Sequence, residues 1–212
     1  EKLKKANRLY AFISHINKTI THVRDEQKLF NDACRIAHDY GNFKIAWIGK
    51  TNIGKKEINL VDQYGIDAIS LPKFANAPYE KNGPQDYAIS KGKTYICNDI
   101  EKDLKVIKWR DFALKNQICS CAVLPLKKAG IIIGTFNLYS TELNFFDATE
   151  IKMLEEVAAD ITFGIDLIEK EKKQKETEEL IVENEKRFRA LIEHSADMVT
   201  ISAPDGTLHY GS

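Results

Sequence analysis

The sequence has no apolar run approaching the roughly 18 residues that a membrane-spanning helix requires. It has no surplus of charge of either sign, since 31 lysines and arginines face 31 aspartates and glutamates. Without a net field there is no overall attraction to nucleic acid or to an anionic membrane surface. No secretory leader pattern is visible. Cysteine is sparse: Cys34, Cys97, Cys119 and Cys121 lack both the paired spacing of a zinc site and the density of a disulfide scaffold. They read as reduced thiols of a cytoplasmic protein. Histidine is sparse too, and none of His15, His22, His38, His194 and His209 falls between Gly65 and Phe112. No kinase signature and no nucleotide-cyclase motif is present.

What the 212 residues do contain is a three-part order. Residues 1–24 read as an amino-terminal helix suited to pairing. Residues 25–146 read as a mixed α/β core. Residues 147–194 read as one long helix that becomes a charged linker, and residues 195–212 as the opening of a further domain too short to bury a core of its own. Leu9, Ile13, Ile16, Ile20 and Val23 recur at 4-3-4-3 spacing, the seam of a helix from Lys4 to Val23 packing on a similar helix. A second helix spans Asp25 to Tyr40, with Asp25 suited to cap its start and Gly41 to a left-handed stop.

Strands are expected at Phe43–Gly49 and Glu57–Tyr64, joined around Asn52–Gly54. Pro72, Pro78 and Pro84 make Gly65–Pro84 irregular. A short helix at Gln85–Lys91 ends at Gly92, a strand follows at Thr94–Asn98, and Lys105–Asn116 reads as a helix. Ile118–Leu126 and Ile131–Tyr139 are the two strongest strands, with Lys127–Gly130 as their turn. Met198–Tyr210 reads as a hairpin.

Asp147, with Glu150 three positions later, makes a capping-box start for the long helix. Leu154, Ala158, Ile161, Ile165 and Ile168 give a second 4-3-4-3 run, whose continuation lands on Lys172, Lys175 and Glu179. Ile181, Phe188, Leu191 and Ile192 resume an apolar face. Ion pairs four residues apart, such as Glu169–Lys173 and Glu171–Lys175, contribute about 0.2–0.5 kcal/mol each. That is too little to hold one long helix alone, so a partner helix, supplied by a homodimer, is expected.

These segments together resemble a GAF domain of bacterial multidomain signalling proteins over residues 10–168. The resemblance rests on Phe43-Lys-Ile-Ala-Trp-Ile-Gly49, Gly92-Lys-Thr-Tyr-Ile-Cys-Asn-Asp-Ile100, Ser120-Cys-Ala-Val-Leu-Pro-Leu126, Ile133-Gly-Thr-Phe-Asn-Leu138 and Phe145-Phe-Asp147. Glu183–Met198 resembles the approach to a PAS domain. The resemblance implies an α+β fold: a central antiparallel sheet with helices on both sides, and a long carboxy-terminal coiled-coil helix. The first and last helices share one face, and a small-ligand pocket lies on the other. Such modules sit upstream of a histidine kinase or a cyclic-di-GMP enzyme, in the same chain.

On that pattern the ligand-pocket candidates are Trp47, Tyr95, Trp109 and Phe112, with Asp99 and Arg110 as polar anchors. Cys97, Cys119 and Cys121 are the thiols nearest to it; Cys119 and Cys121 point to one face because they alternate along a strand. Leu9, Ile13, Ile16, Ile20, Val23, Leu154, Ala158, Ile161, Ile165 and Ile168 are the expected dimer seam. No catalytic residue is assigned. Free methionine sulfoxide reductases of this layout carry cysteines in the loop that corresponds to Glu101–Gln117, and this chain has none there. Asn144–Glu150 does not fit the cyclic-nucleotide motif. The Lys105–Asn116 helix lacks the cysteine and histidine of bilin sites, and no haem or metal is expected. The reading is therefore a non-enzymatic sensory and dimerisation module that binds a small ligand or partner. The alternatives are a ligand-free dimerising spacer and a thiol enzyme.

Overall fold

The computed structural model describes residues 2–52, 54–66, 76–193, 200–202 and 208–211. The chain divides into two compact units, residues 1–168 and 169–212.

The first unit opens with helix α1 (Lys2–His22) and helix α2 (Glu26–Asp39). Asp25 caps α2 by accepting the Lys28 backbone N–H at 2.7 Å, as its place before an apolar stripe predicts. Gly41 is not the left-handed stop. Asn42 takes that conformation, at φ 58°. Gly41 is needed for space, since a Cβ there would stand 2.4 Å from the Ala37 carbonyl oxygen. Strands β1 (Ile45–Asn52) and β2 (Glu57–Tyr64) form the first hairpin. β1 starts two residues later than the alternation predicts, because Phe43 packs edge-on against Phe12 and Phe145. A short strand β3 (Asn76–Pro78) pairs with β2; residues 67–75 of the segment predicted to be irregular lie outside the described residues.

Helix α3 (Pro84–Lys91) ends on left-handed Gly92, φ 59°, and leads to β4 (Tyr95–Cys97). The single helix expected at Lys105–Asn116 is instead a 3-10 turn, Leu104–Trp109, followed by α4 (Arg110–Lys115). The buried Val106 and Trp109, three residues apart, lie one above the other on the 3-10 turn, and the half-buried Phe112 extends that apolar contact from α4. β5 (Ser120–Lys128) and β6 (Ile131–Ser140) take Lys127 and Lys128 into the ladder. Only Ala129 and Gly130 remain as the loop, both with positive φ, at 47° and 81°.

The sheet order is β3-β2-β1-β6-β5-β4, antiparallel at every pairing. Its two faces carry two separate cores. Ala46, Ile48, Phe136, Leu138, Ala122 and Leu124 face α1, α2 and the start of α5. Trp47, Tyr139, Val123, Cys121, Cys97 and Tyr95 face α3, the 3-10 turn and α4. Helix α5 (Ala148–Glu193) closes the first face.

Asp147 accepts the Glu150 backbone N–H at 2.9 Å, as a cap should. The reciprocal half of the expected capping box is missing. The Glu150 carboxylate instead accepts Arg8 Nη2 of α1 at 2.5 Å, and Lys5 Nζ lies 3.5 Å away. Arg8 also donates to the Gly41 carbonyl and lies 4.7 Å from the Phe145 ring centroid.

In the second unit, every residue of α5 from 169 to 191 is exposed. The described ion pairs there are Lys172–Glu176, Lys175–Glu179, Arg187–Glu183 and Arg189–Glu185, all four residues apart. β7 (Thr200–Ser202) and β8 (Leu208–Gly211) pair as an antiparallel hairpin.

Candidate functional site

The site is built by register. Residues directly opposite in an antiparallel ladder share a face. Gln63, Trp47, Asn137, Val123 and Tyr95 are opposite one another in turn across β2, β1, β6, β5 and β4. They form one row across the sheet. The next row on the same face is Ile45, Tyr139, Cys121 and Cys97. The row beyond holds Gly49, Thr135 and Pro125.

This face is aromatic but also carries hydrogen-bonded polar groups. Trp47 Nε1 donates to the Tyr139 hydroxyl at 3.1 Å, and Trp109 stands edge-on to Tyr139 at 5.6 Å. Asn137, fully buried, donates from Nδ2 to Thr135 Oγ1 at 3.0 Å and to the Trp47 carbonyl at 3.3 Å. Its Oδ1 accepts Gln85 Nε2 of α3 at 3.5 Å. At one end of the row the Tyr95 hydroxyl donates to Asp103, and Arg110 Nη2 donates to the Asp103 carbonyl at 3.1 Å. Lys105 Nζ sits 4.9 Å from the Tyr87 ring centroid and 5.5 Å from that of Tyr95.

Among the described residues, two polar atoms on this side are buried without a hydrogen-bond partner: Gln63 Oε1 at one end of the row, and Arg110 Nε at the other. A buried polar atom without a partner costs about 1–3 kcal/mol. One is an acceptor awaiting a donor, the other a donor awaiting an acceptor.

The structure brings together Trp47, Tyr95, Cys97, Trp109, Phe112 and Cys121 of the expected pocket. Arg110 joins them through Asp103. Asp99 does not: it accepts the Glu101 backbone N–H and pairs with Lys102 at 2.7 Å, holding the turn after β4. Cys119 precedes β5 and is half-buried. Cys97 and Cys121 are direct cross-strand neighbours. The contact with Cys97, and then burial, push the Cys121 thiol well up from its ordinary value. Burial, and then the bond to Asp103, push Tyr95 up; burial, and then Cys121, push Tyr139 up. Raised in this way, Cys121, Tyr95 and Tyr139 keep their protons at neutral pH.

Sequence reasoning missed Asp103, Gln63, Asn137, Thr135 and Tyr139. The alternation of β6 does place Thr135, Asn137 and Tyr139 on one face, which was the available signal for three of them. Among the described residues, no three His, Cys, Asp or Glu side chains gather as a metal site would require.

The expected dimer seam is occupied within the chain. Leu9, Ile16, Ile20, Val23, Leu154, Ala158, Ile161 and Ile165 are buried, and Ile13 and Ile168 are half-buried; all but Leu9 belong to the core shared by α1, α2, α5 and the sheet. Their heptad spacing is met by helix packing inside one subunit.

The sequence matches the GAF domain family over residues 23–166. The chain belongs to that family. No curated protein sequence matches it. Among solved structures it is similar to the free methionine-R-sulfoxide reductase of Neisseria meningitidis (TM-score 0.65, 18% identity, 76% of this chain and 90% of that one). It is similar to the GAF domain of a phosphoenolpyruvate-protein phosphotransferase from Coxiella burnetii (TM-score 0.66, 9% identity, 80% and 98%). A domain assigned to a two-component sensor histidine kinase of Sinorhizobium meliloti is also similar (TM-score 0.54, 15% identity, 70% and 96%). At these identities the likeness is one of fold.

Proposed function

We propose that this chain is the sensory module of a bacterial signal-transduction protein. Its Trp47 face takes a small ligand or partner, and helix α5 passes the resulting state to a domain such as a histidine kinase. The observation that carries this reading is the pair of orphaned atoms, Gln63 Oε1 and Arg110 Nε, at the two ends of a polar row under aromatic cover. A ligand presenting a donor to Gln63 Oε1, or an acceptor to Arg110 Nε, would relieve the cost at that end of the row.

Similarity to the sulfoxide reductase makes a thiol enzyme the second reading. The cross-strand thiols weigh against it, since a raised Cys121 is a poor nucleophile, and the loop 101–117 has no cysteine. A ligand-free spacer is the third.

Both tryptophans of the chain, Trp47 and Trp109, lie in this cluster, so intrinsic emission reports on it alone. Native mass spectrometry of the purified protein, followed by a small-molecule screen on Trp emission, tests the reading. A bound molecule or an emission shift that is lost in Gln63→Leu and Arg110→Leu supports it. No co-purified mass and no emission response from the wild-type chain would leave the spacer as the better account.

A further inference from the structure

β5 is longer than the strand that covers its outer edge. β4 pairs with it only at Cys121, Ala122 and Val123, whereas β5 runs on to Lys128. Continued in the same register, Thr94 and Lys93 would stand opposite Leu124 and Pro125. They do not pair there. Gly92 turns left-handed, at φ 59°, to end α3, and the Thr94 hydroxyl donates to Glu155 Oε1 of α5 at 2.6 Å. The ladder is replaced by a cleft of about 600 Å³ between β5, the Gly92–Thr94 connection and α5. That volume lies within the range of about 300–1,000 Å³ usual for small-molecule sites.

The buried Leu124 and Ala158 give the cleft an apolar floor, and α5 leaves it open because Ala158 and Ala159 present only methyl groups. Three charged side chains line it: Lys93, Lys127 and Glu155. A Cβ on Gly92 would lie 3.7 Å from Lys127 Nζ, so that ammonium stands beside the connection. Among the described residues, none of the three has an ion-pair partner; Glu155 takes the Thr94 hydroxyl alone. Two unpaired positive charges and one unpaired negative charge therefore share one cleft with an apolar floor.

We propose that this cleft binds a small amino-carboxylate. Its carboxylate meets Lys127 and Lys93, its ammonium meets Glu155, and its short apolar body lies over Leu124 and Ala158. A purely anionic ligand would leave Glu155 beside a like charge, and a purely cationic one would face two lysines. The site is separate from the Trp47 face, since Leu124 and Ala158 belong to the core of the opposite face. An occupant bridges β5 to α5, whatever the Trp47 face binds.

The test uses the whole 212-residue chain and follows backbone amides by two-dimensional NMR. The probes are ω-amino acids from aminobutanoate to aminooctanoate, with hexanoate and hexylamine as single-charge controls. At least one ω-amino acid should give saturable shifts at Gly92, Thr94, Lys127 and Glu155, and both controls should bind about tenfold more weakly. Glu155→Gln should weaken the amino acid about fivefold and leave hexanoate no weaker. Lys93→Gln with Lys127→Gln should weaken the amino acid about tenfold and leave hexylamine no weaker. Ala159→Leu, which fills the cleft, should abolish the response. All four substituted positions are exposed, so circular dichroism and Trp emission should stay those of the wild type. No saturable shift at these amides with any ω-amino acid, equal affinity for the controls, or charge variants that change all probes alike would each overturn the proposal. A saturable response here with an unresponsive Trp47 face would retire the sensory reading of that face and leave this site standing.

Discussion

Arg8 and Glu150 are 142 residues apart, and their contact joins α1 to the start of α5. Glu150 is fully buried, and its second oxygen, Oε1, has no hydrogen-bond partner. Removing one member of a buried pair leaves the other uncompensated, at a cost of about 3 kcal/mol. Glu150→Ala should therefore lower unfolding free energy in urea by that order. The double variant Arg8→Met with Glu150→Leu should recover most of it, because an apolar pair of similar volume replaces two desolvated charges. The sequence showed Glu150 only as the third residue of a cap. Its partner was invisible because nothing local to residue 150 points 142 positions back. Asp103 was missed for a similar reason: its bond to Tyr95 crosses a turn that no periodicity encodes.

The titrating residues of the Trp47 face set a second expectation. Tyr95, Tyr139 and Cys121 are all raised in the folded chain, and so is Cys34 on the other face. A raised group contributes stability that is fully present below its ordinary range. That contribution is lost as pH climbs through that range toward the folded value, because only the unfolded chain can ionise there. Thiols and phenols ordinarily titrate at about 8.5 and 10. Chemical denaturation at increasing pH should show stability constant below that window and falling above it. Tyr139→Phe should make the fall shallower, although it also removes the hydroxyl that accepts from Trp47.

At the scale of elements, the β5–β6 hairpin carries a correctable strain. Ala129 sits at φ 47° beside Gly130 in a two-residue loop, where the turn calls for asparagine or glycine. A non-glycine residue held there costs on the order of 1 kcal/mol. Ala129→Asn should raise stability by a large part of that amount in a thermal melt, whereas Ala129→Val should lower it. Element existence was legible wherever a period was clear: α2 with its Asp25 cap, β2 over Glu57–Tyr64, α3 with its Gly92 stop. Ends and helix type were less so. Phe43 reads as strand by alternation, yet it is held by Phe12 and Phe145 on the helical side. Val106 and Trp109 share a face of the 3-10 turn and Phe112 follows in α4, but the same three residues also satisfy one amphipathic helix.

For the whole molecule, the two-core sheet divides the labour. One face is sealed by α1, α2 and α5; the other holds the polar row and its aromatic cover. The 4-3-4-3 runs in α1 and α5 were legible as helix seams. Whether such a run faces the same chain or another is a question of tertiary distance that spacing cannot answer, and here the chain's own core takes them. The face-sharing of Trp47, Tyr95, Cys97, Trp109 and Cys121 was readable from strand parity and the family likeness together. In the proposed mechanism, occupancy of the Trp47 face alters α5. Amide hydrogen exchange, followed with and without a molecule that shifts Trp emission, tests this most directly. The expected result is altered protection both in β1, β6 and α4 and across residues 169–191. Altered protection confined to the sheet face, with 169–191 exchanging identically in both states, would contradict it.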